Sequence, residues 1–239
     1  MTHLAPLKRA RSQCPCSIII PQYGRSELTW NAVSSLQSHH ENSYEILIVD
    51  DGSEEEATRN LQNLGHSQTT IIRHPRRRGV TAAWNTGAKE ATGQNLIFLN
   101  NDTLTTGPWI EELLALLQCP ENRIGGLRWR RRKPGGMEFR QTSSLLQGWC
   151  LAMTRDTFHA LNGFDERFRL YFSDTDMQLR CLKKWPNSLA ILEGAPIRHL
   201  KGKTTRHWHQ RRTEWLTDRQ RFHAEWGEEN SKSEILRTK

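Results

Sequence analysis

The chain has 239 residues, 36% of them hydrophobic and 25% charged, a balance that supports one well-cored α/β domain or two small ones and argues against a disordered chain. No run approaches the ~20 apolar residues of a membrane span, and the opening MTHLAPLKRARSQCPC lacks the apolar stretch of a secretory leader, so residues 1–15 read as a flexible basic arm. The net charge of +8 suits nucleic acid, an acidic membrane or an anionic substrate, but no nucleic-acid-binding motif accompanies the basic clusters at Arg76–Arg78, at Arg128–Lys133 and near the C-terminus.

In chain order, CSIIIPQYG comes first (residues 16 to 24). The run Ser17–Ile20 predicts a strand buried on both faces, and Pro21 is expected to stop it, since proline cannot feed a central ladder. ELTWNAVSSLQSH carries Leu28, Ala32, Val33 and Leu36 at helical spacing. YEILIVDDGS, residues 44 to 53, predicts a second strand ending in two carboxylates, with Ser53 as N-cap of the acidic helical run behind it. TTIIRHP predicts a third strand, and RRRGVTAAWNTGAKEATG a loop running into a helix. NLIFLNNDT, residues 95 to 103, predicts a fourth strand, and PWIEELLALLQ a helix with proline near its first turn. This alternation implies a parallel, doubly wound sheet. Ligands bind such sheets at the carboxyl ends of the strands, where Pro21-Gln22-Tyr23, Asp50-Asp51 and Asn100-Asn101-Asp102 all fall. The three polar groups mark one expected cleft.

The second half is less regular. RWRRRKPGG reads as a basic turn-rich loop, SSLLQGWCLAMTRDTFHAL as an apolar stretch followed by a helical one, and SLAILEG as a strand. NGFDERFRLYFSDTDMQLRCLKKW gathers aromatics and acids and ends in a helix. HWHQRRTEWLTDRQRFHAEWG predicts an amphipathic helix that packs on the domain, meets a membrane surface or forms a dimer contact. The five cysteines, Cys14, Cys16, Cys119, Cys150 and Cys181, form no paired zinc block and read as reduced cytosolic thiols.

Several residue types suit chemistry. Asp102 at a strand end can ligate Mg2+ or Mn2+, or simply be a helix N-cap or form an Asx turn before Thr103. Asp50 and Asp51 point to opposite faces of their strand, so one can cap the next turn while the other faces the cleft. Asp174 and Asp176 follow the aromatic run Phe168–Phe172; a carboxylate beside aromatics can act as a general base, or the pair can merely start a helix. His199 can bind a metal through a neutral ring nitrogen or be an ordinary surface residue, and Lys201 and Lys203 suit a phosphate. Trp149 is the tryptophan expected near a sugar. The absence of G-x-G-x-x-G, Walker and G-x-S-x-G patterns argues against a dinucleotide enzyme, a P-loop NTPase and an α/β-hydrolase.

Five segments, SIIIPQYG, EILIVDDGS, RRGVTAAWNTGAKEATGQNLIFLNNDT, GFDERFRLYFSDTDMQLR and IRHLKGKTT, come in the order found in family 2 glycosyltransferases of the GT-A fold, which the chain resembles over roughly residues 16 to 205. The resemblance implies a Rossmann-like, mostly parallel central sheet flanked by helices, with a nucleotide-binding half (16–118), a mixed acceptor half (119–205) and a helical extension (206–239). It further implies an inverting, metal-dependent hexosyltransferase that uses a UDP- or dTDP-sugar and a saccharide or lipid-linked acceptor in cell-surface polysaccharide synthesis. Pro21, Tyr23, Asp51, Gly79, Asn85, Asn100 and Asn101 would lie on the nucleotide-sugar side. Asp102 and His199 would hold Mn2+ or Mg2+, Asp174 would be the base, and Trp149 and Asp176 would face the acceptor. Nucleic acid is not an expected partner. A cytoplasmic setting follows, peripheral at the anionic inner face of the membrane, with a homodimer as a further expectation. The sequence departs from the family pattern twice. Asn100 stands at the first position of the metal motif, as in the rhamnosyltransferase-like bacterial branch. Ser173 stands where glutamate is usual, which raises the alternative of a sugar-nucleotide-binding protein with weak or lost catalysis.

Overall fold

A computed structural model describes residues 16–40, 44–62, 69–128, 138–141, 144–200 and 211–227. The first half alternates as expected: β1 (Cys16–Gln22), α1 (Ser26–Gln37), β2 (Tyr44–Asp50), α2 (Glu55–Gln62), β3 (Thr69–Arg73), α3 (Val80–Glu90) and β4 (Asn95–Leu99). These strands lie side by side in the order β3-β2-β1-β4, all parallel. In register, Ile18 sits between Ile46 and Ile97, and Ile19 between Leu47 and Phe98. Alternate residues leave opposite faces of a strand, so β1 serves two cores. Ile18 and Ile20 join Val33 and Leu36 of α1 on one face. Ile19 joins Ala83, Trp84 and Ala88 of α3 on the other. A sheet covered on both faces requires such unbroken apolar strands.

The second half comprises β5 (Thr103–Thr105), α4 (Ile110–Leu116), β6 (Ile124–Arg128), β7 (Glu138–Gln141), β8 (Cys150–Thr154), α5 (Arg155–Ala160), α6 (Ser173–Lys184), β9 (Leu189–Glu193), β10 (Ile197–His199) and α7 (Arg211–Trp226). The sheet continues from β4 as β8-β6-β9-β7 and becomes mixed: β8 is antiparallel to both β4 and β6, β6 is parallel to β9, and β7 is antiparallel to β9. β5 and β10 form a separate antiparallel pair. Among the described residues no helix is long and apolar enough to cross a membrane.

Three local expectations change. Pro21 does not end β1, which runs on to Gln22 with Pro21 opposite Val49. Pairing with β4 stops at Ile19, so Pro21 lies where that flank has no ladder to supply. Ser53 is not the cap of α2: its hydroxyl accepts the Gly24 N–H at 2.9 Å. Asp50 instead ties the loop before α2 to the helix, accepting the Ser53 N–H at 3.1 Å and the Thr58 hydroxyl at 3.0 Å. The strand expected over 95–103 breaks at Asn100-Asn101-Asp102, and the Thr103 hydroxyl donates back to the Asn100 carbonyl at 3.0 Å. Short polar side chains compete with the ladder in this way. Cys14, Lys201, Lys203 and most of the Arg128–Lys133 cluster lie outside the described residues. Cys150 and Cys181 are buried, and burial pushes both thiols above their ordinary range.

Candidate active site

At the end of β2 the two neighbouring carboxylates divide their work. Asp50 is fully buried under α2. Asp51 turns the other way and accepts the backbone N–H groups of Arg78 at 2.8 Å and Gly79 at 2.7 Å. His74 Nδ1 lies 2.8 Å from the same carboxylate, and its Nε2 lies 2.9 Å from the Thr86 hydroxyl. Asp51 thereby shapes the loop from β3 to α3. Gly79 enters α3 at φ 107°, and a Cβ there would press on the Arg169 carbonyl, so the loop touches the second half of the chain backbone to backbone. Tyr23 is 37% exposed, and the Arg77 guanidinium lies 4.7 Å from its ring centroid. Partial burial draws Arg77 below its ordinary pKa.

Two residues expected beside the nucleotide have other partners. The Asn101 amide donates to Gln22 Oε1 at 3.0 Å and to Thr29 Oγ1 at 2.9 Å inside the domain. Asn85 clasps the second half of the chain: its Nδ2 donates to the Phe164 carbonyl at 2.8 Å, and its Oδ1 accepts the Phe164 N–H at 3.0 Å. It also donates to Glu166, which pairs with Arg78 at 2.9 Å. Both asparagines brace the walls of the site.

The end of β4 and the end of β10 meet because β5 and β10 pair, with His199 opposite Thr103. His199 Nε2 lies 3.0 Å from Asp102 Oδ1 and 3.5 Å from Asn100 Nδ2. The Leu200 N–H donates to the Asp102 carbonyl at 2.8 Å. Trp149 is buried and stacks on the His199 ring at a centroid distance of 5.5 Å and 13° between planes. The Asn100 N–H donates to the Trp149 carbonyl at 2.8 Å, which ties β8 to the same corner.

Asp174 reaches this corner from α6. A Cβ on Gly148 would come within 2.5 Å of the Asp174 Cβ and would overlap its carboxylate, so Asp174 lies directly over the residue before Trp149. Asp174, Gly148, Trp149, His199 and Asp102 therefore form one continuous line of neighbours. Phe172, which introduces α6, adopts φ 65°, a left-handed conformation rare for a bulky residue. Asp176, expected at the acceptor, is 2% exposed and turned into the domain. It accepts Arg180 Nε at 2.8 Å and Trp226 Nε1 at 3.0 Å. Burial raises its carboxyl above the ordinary value, against the pull of Arg180. Ser173 is buried at the head of the same helix.

The family model for glycosyl transferase family 2 matches residues 17–180. The chain belongs to that family. Among its relatives, this family 2 chain is similar to the O-antigen biosynthesis protein RfbC of Myxococcus xanthus, at 26% identity over 69% of this chain and 16% of that protein. It is also similar to glycosyltransferase AglE of Haloferax volcanii, at 34% identity over 40% of this chain and 33% of that protein. The chain thus spans only a fraction of the length of these relatives. In fold it is similar to the mannosyltransferase PcManGT of Pyrobaculum calidifontis in complex with GDP-Man and Mn2+, with TM-score 0.63 and 16% identity over 90% of this chain and 64% of that one. The fold is GT-A, with a parallel first half and a mixed second half.

Asp102 and His199 are of residue types that can ligate a divalent ion. Asp102 Oδ1 and His199 Nε2 are 3.0 Å apart, within hydrogen-bonding distance. Among the described residues no group of three or more His, Cys, Asp and Glu forms a complete metal cage. Such ions are commonly held by one or two protein ligands, with substrate phosphates and water completing the shell.

Proposed function

We propose that the chain transfers a sugar from a nucleoside diphosphate to a hydroxyl of a saccharide or lipid-linked acceptor, with inversion at the anomeric carbon. The observation that carries this reading is the Asp102–His199 pair, joined through Trp149 and Gly148 to the buried Asp174. Asp102 and His199 would hold Mn2+ or Mg2+. Bound there, the ion supplies positive charge to the departing diphosphate. Asp174 accepts the proton of the acceptor hydroxyl as its oxygen attacks the anomeric carbon from the side opposite the diphosphate. Tyr23, exposed and backed by Arg77, offers a ring face to the nucleobase. Asp51 holds the loop beneath it. The likeness to RfbC supports a role in cell-surface polysaccharide assembly, and the net charge of +8 supports a peripheral contact with an anionic membrane.

The test is thermal stability with UDP, dTDP and GDP, with and without Mn2+, followed by transfer or hydrolysis of the matching nucleotide sugar. A ligand that binds only the native state raises the melting temperature. A Mn2+-dependent rise that Asp102→Ala abolishes is expected, and the base giving the largest rise names the donor. No rise with any diphosphate sinks the reading. A second reading, a sugar-nucleotide-binding protein with lost catalysis, rests on Ser173, which leaves the head of α6 one carboxylate short of the family pattern. Donor binding without turnover, unchanged in Asp174→Ala, favours that reading.

A further inference from the structure

Beyond the stretch matched by the family model, α7 makes a contact with the base-bearing segment. Asp218, 0% exposed, is aimed at the turn that leads into α6. Its Oδ1 accepts the Arg169 N–H at 3.2 Å, and its Oδ2 accepts the N–H groups of Leu170 at 2.9 Å and Tyr171 at 3.0 Å. Arg221 of the same helix lies 3.2 Å from the carboxylate. Three successive N–H groups converging on one carboxylate form a nest filled by the chain's own anion. The next residue is Phe172 in its left-handed conformation, then Ser173, then Asp174. Phe172 stacks on Phe222 of α7 at a centroid distance of 5.0 Å, and Trp226 Nε1 donates to Asp176 at 3.0 Å. A strained conformation persists only where its surroundings over-determine it, and here α7 holds both ends of the turn and the ring between them.

We infer that α7 sets the position of Asp174, with Asp218 as the positioning residue. The inference rests on the reading of Asp174 as the base. Asp218 touches no reacting atom; it fixes the backbone from which α6 starts, and through it the reach of the Asp174 carboxylate. The Asp102–His199 corner is built by the ends of β4 and β10. α7 reaches the loop before α3 through Arg169, which pairs with Glu214 at 3.1 Å and donates to the Arg78 carbonyl at 3.4 Å. Asp218 holds the Arg169 backbone N–H and not that side-chain link. Loss of the Asp218 carboxylate therefore separates donor binding from transfer.

The experiment compares the full chain with Asp218→Asn and Asp218→Ala. Binding of the nucleoside diphosphate with Mn2+ is measured by calorimetry, and transfer rates are normalised to the binding stoichiometry so that unfolded protein does not count. The expected result is a diphosphate Kd within about twofold of wild type in both variants. The kcat for transfer falls at least tenfold in Asp218→Ala and by less in Asp218→Asn, which keeps one acceptor oxygen for the nest. Trp226→Phe, which keeps the packing but removes the N–H to Asp176, reports on the same helix if both Asp218 variants fail to fold, and a lower kcat at unchanged Kd is again expected. An active wild type whose folded variants transfer at full normalised rate overturns this inference alone. A wild type that binds diphosphate but transfers nothing overturns the reading of Asp174 and this inference with it.

Discussion

Gly148 has no side chain, and the Asp174 carboxylate occupies the space one would take. The requirement is steric and local, so its consequence is sharp. In Gly148→Ala the new methyl group displaces Asp174, because neither the buried helix start nor β8 can move away cheaply. Transfer is expected to fall by a factor of ten or more while the Mn2+-dependent response to diphosphate persists; steady-state kinetics beside thermal shift checks both halves. At this scale the sequence singled out Asp102, Asp174 and His199 as candidates from strand ends, a helix start and the resemblance, and the structure places the three along one line of neighbours. The sequence was silent on His74 and Asp218, whose partners come from distant parts of the chain. It gave no sign that the Asn85 and Asn101 amides face protein partners, since an amide's direction depends on what folds against it.

Among the elements, α7 shows how a polar helix can be anchored. Its Arg167–Glu225 ion pair at 3.2 Å is a surface contact, and exposed pairs of this kind contribute little, whereas the Arg169–Glu214 pair at 3.1 Å is part-buried on its Glu214 side. Its buried contacts are Phe222 and Asp218. Phe222 is 1% exposed and packs with Phe168 and Phe172 in a small aromatic cluster of its own. Phe222→Ala is expected to cost about 3–5 kcal/mol through the lost burial and the cavity left behind, measured by denaturant unfolding. A cost under about 1 kcal/mol would mean that α7 rests on the domain without supporting it. The amphipathic pattern predicted the helix but left its seat open among domain, membrane and second copy, and the cluster with Phe168 and Phe172 shows that it packs on the domain. β6 and β10 escaped sequence reading for a different reason. IGGLR carries two glycines and IRH spans three residues, so neither displays a recognisable period.

Across the whole molecule, the candidate site and a hydrogen-bonded carboxylate occupy opposite edges of the parallel sheet. The carboxyl edge carries the candidate site. Near the amino edge, Glu45 of β2 accepts the Ser17 hydroxyl of β1 at 2.6 Å, the Thr92 N–H at 2.5 Å and the Thr92 hydroxyl at 2.7 Å. Burial works to raise the Glu45 carboxyl, but the hydrogen bonds outweigh it and hold the pKa below its ordinary 4.5. A carboxylate with a lowered folded pKa stabilises the native state above its unfolded value, and that contribution is lost as pH falls through the folded one. The melting temperature of the wild type is therefore expected to decline as pH drops below about 4.5. Glu45→Gln should show a shallower decline and a lower plateau near neutrality. Parallel curves for the two proteins would remove Glu45 from the account of acid sensitivity.

By itself the sequence determined the parallel half of the sheet, because unbroken apolar runs alternating with amphipathic helices are stable in few other arrangements. It also determined that polar groups would collect at the carboxyl ends of those strands, since that is where apolar runs stop and turns begin. Only the tertiary structure decided which of those groups face one another. The Asp102–His199 pair depends on a three-residue strand finding β5, the seat of Asp174 depends on a missing Cβ at Gly148, and the turn before Asp174 depends on a carboxylate from the last described helix. Each is a contact between segments far apart in the chain, and such contacts are set by how packed layers meet, which no local pattern of residues encodes.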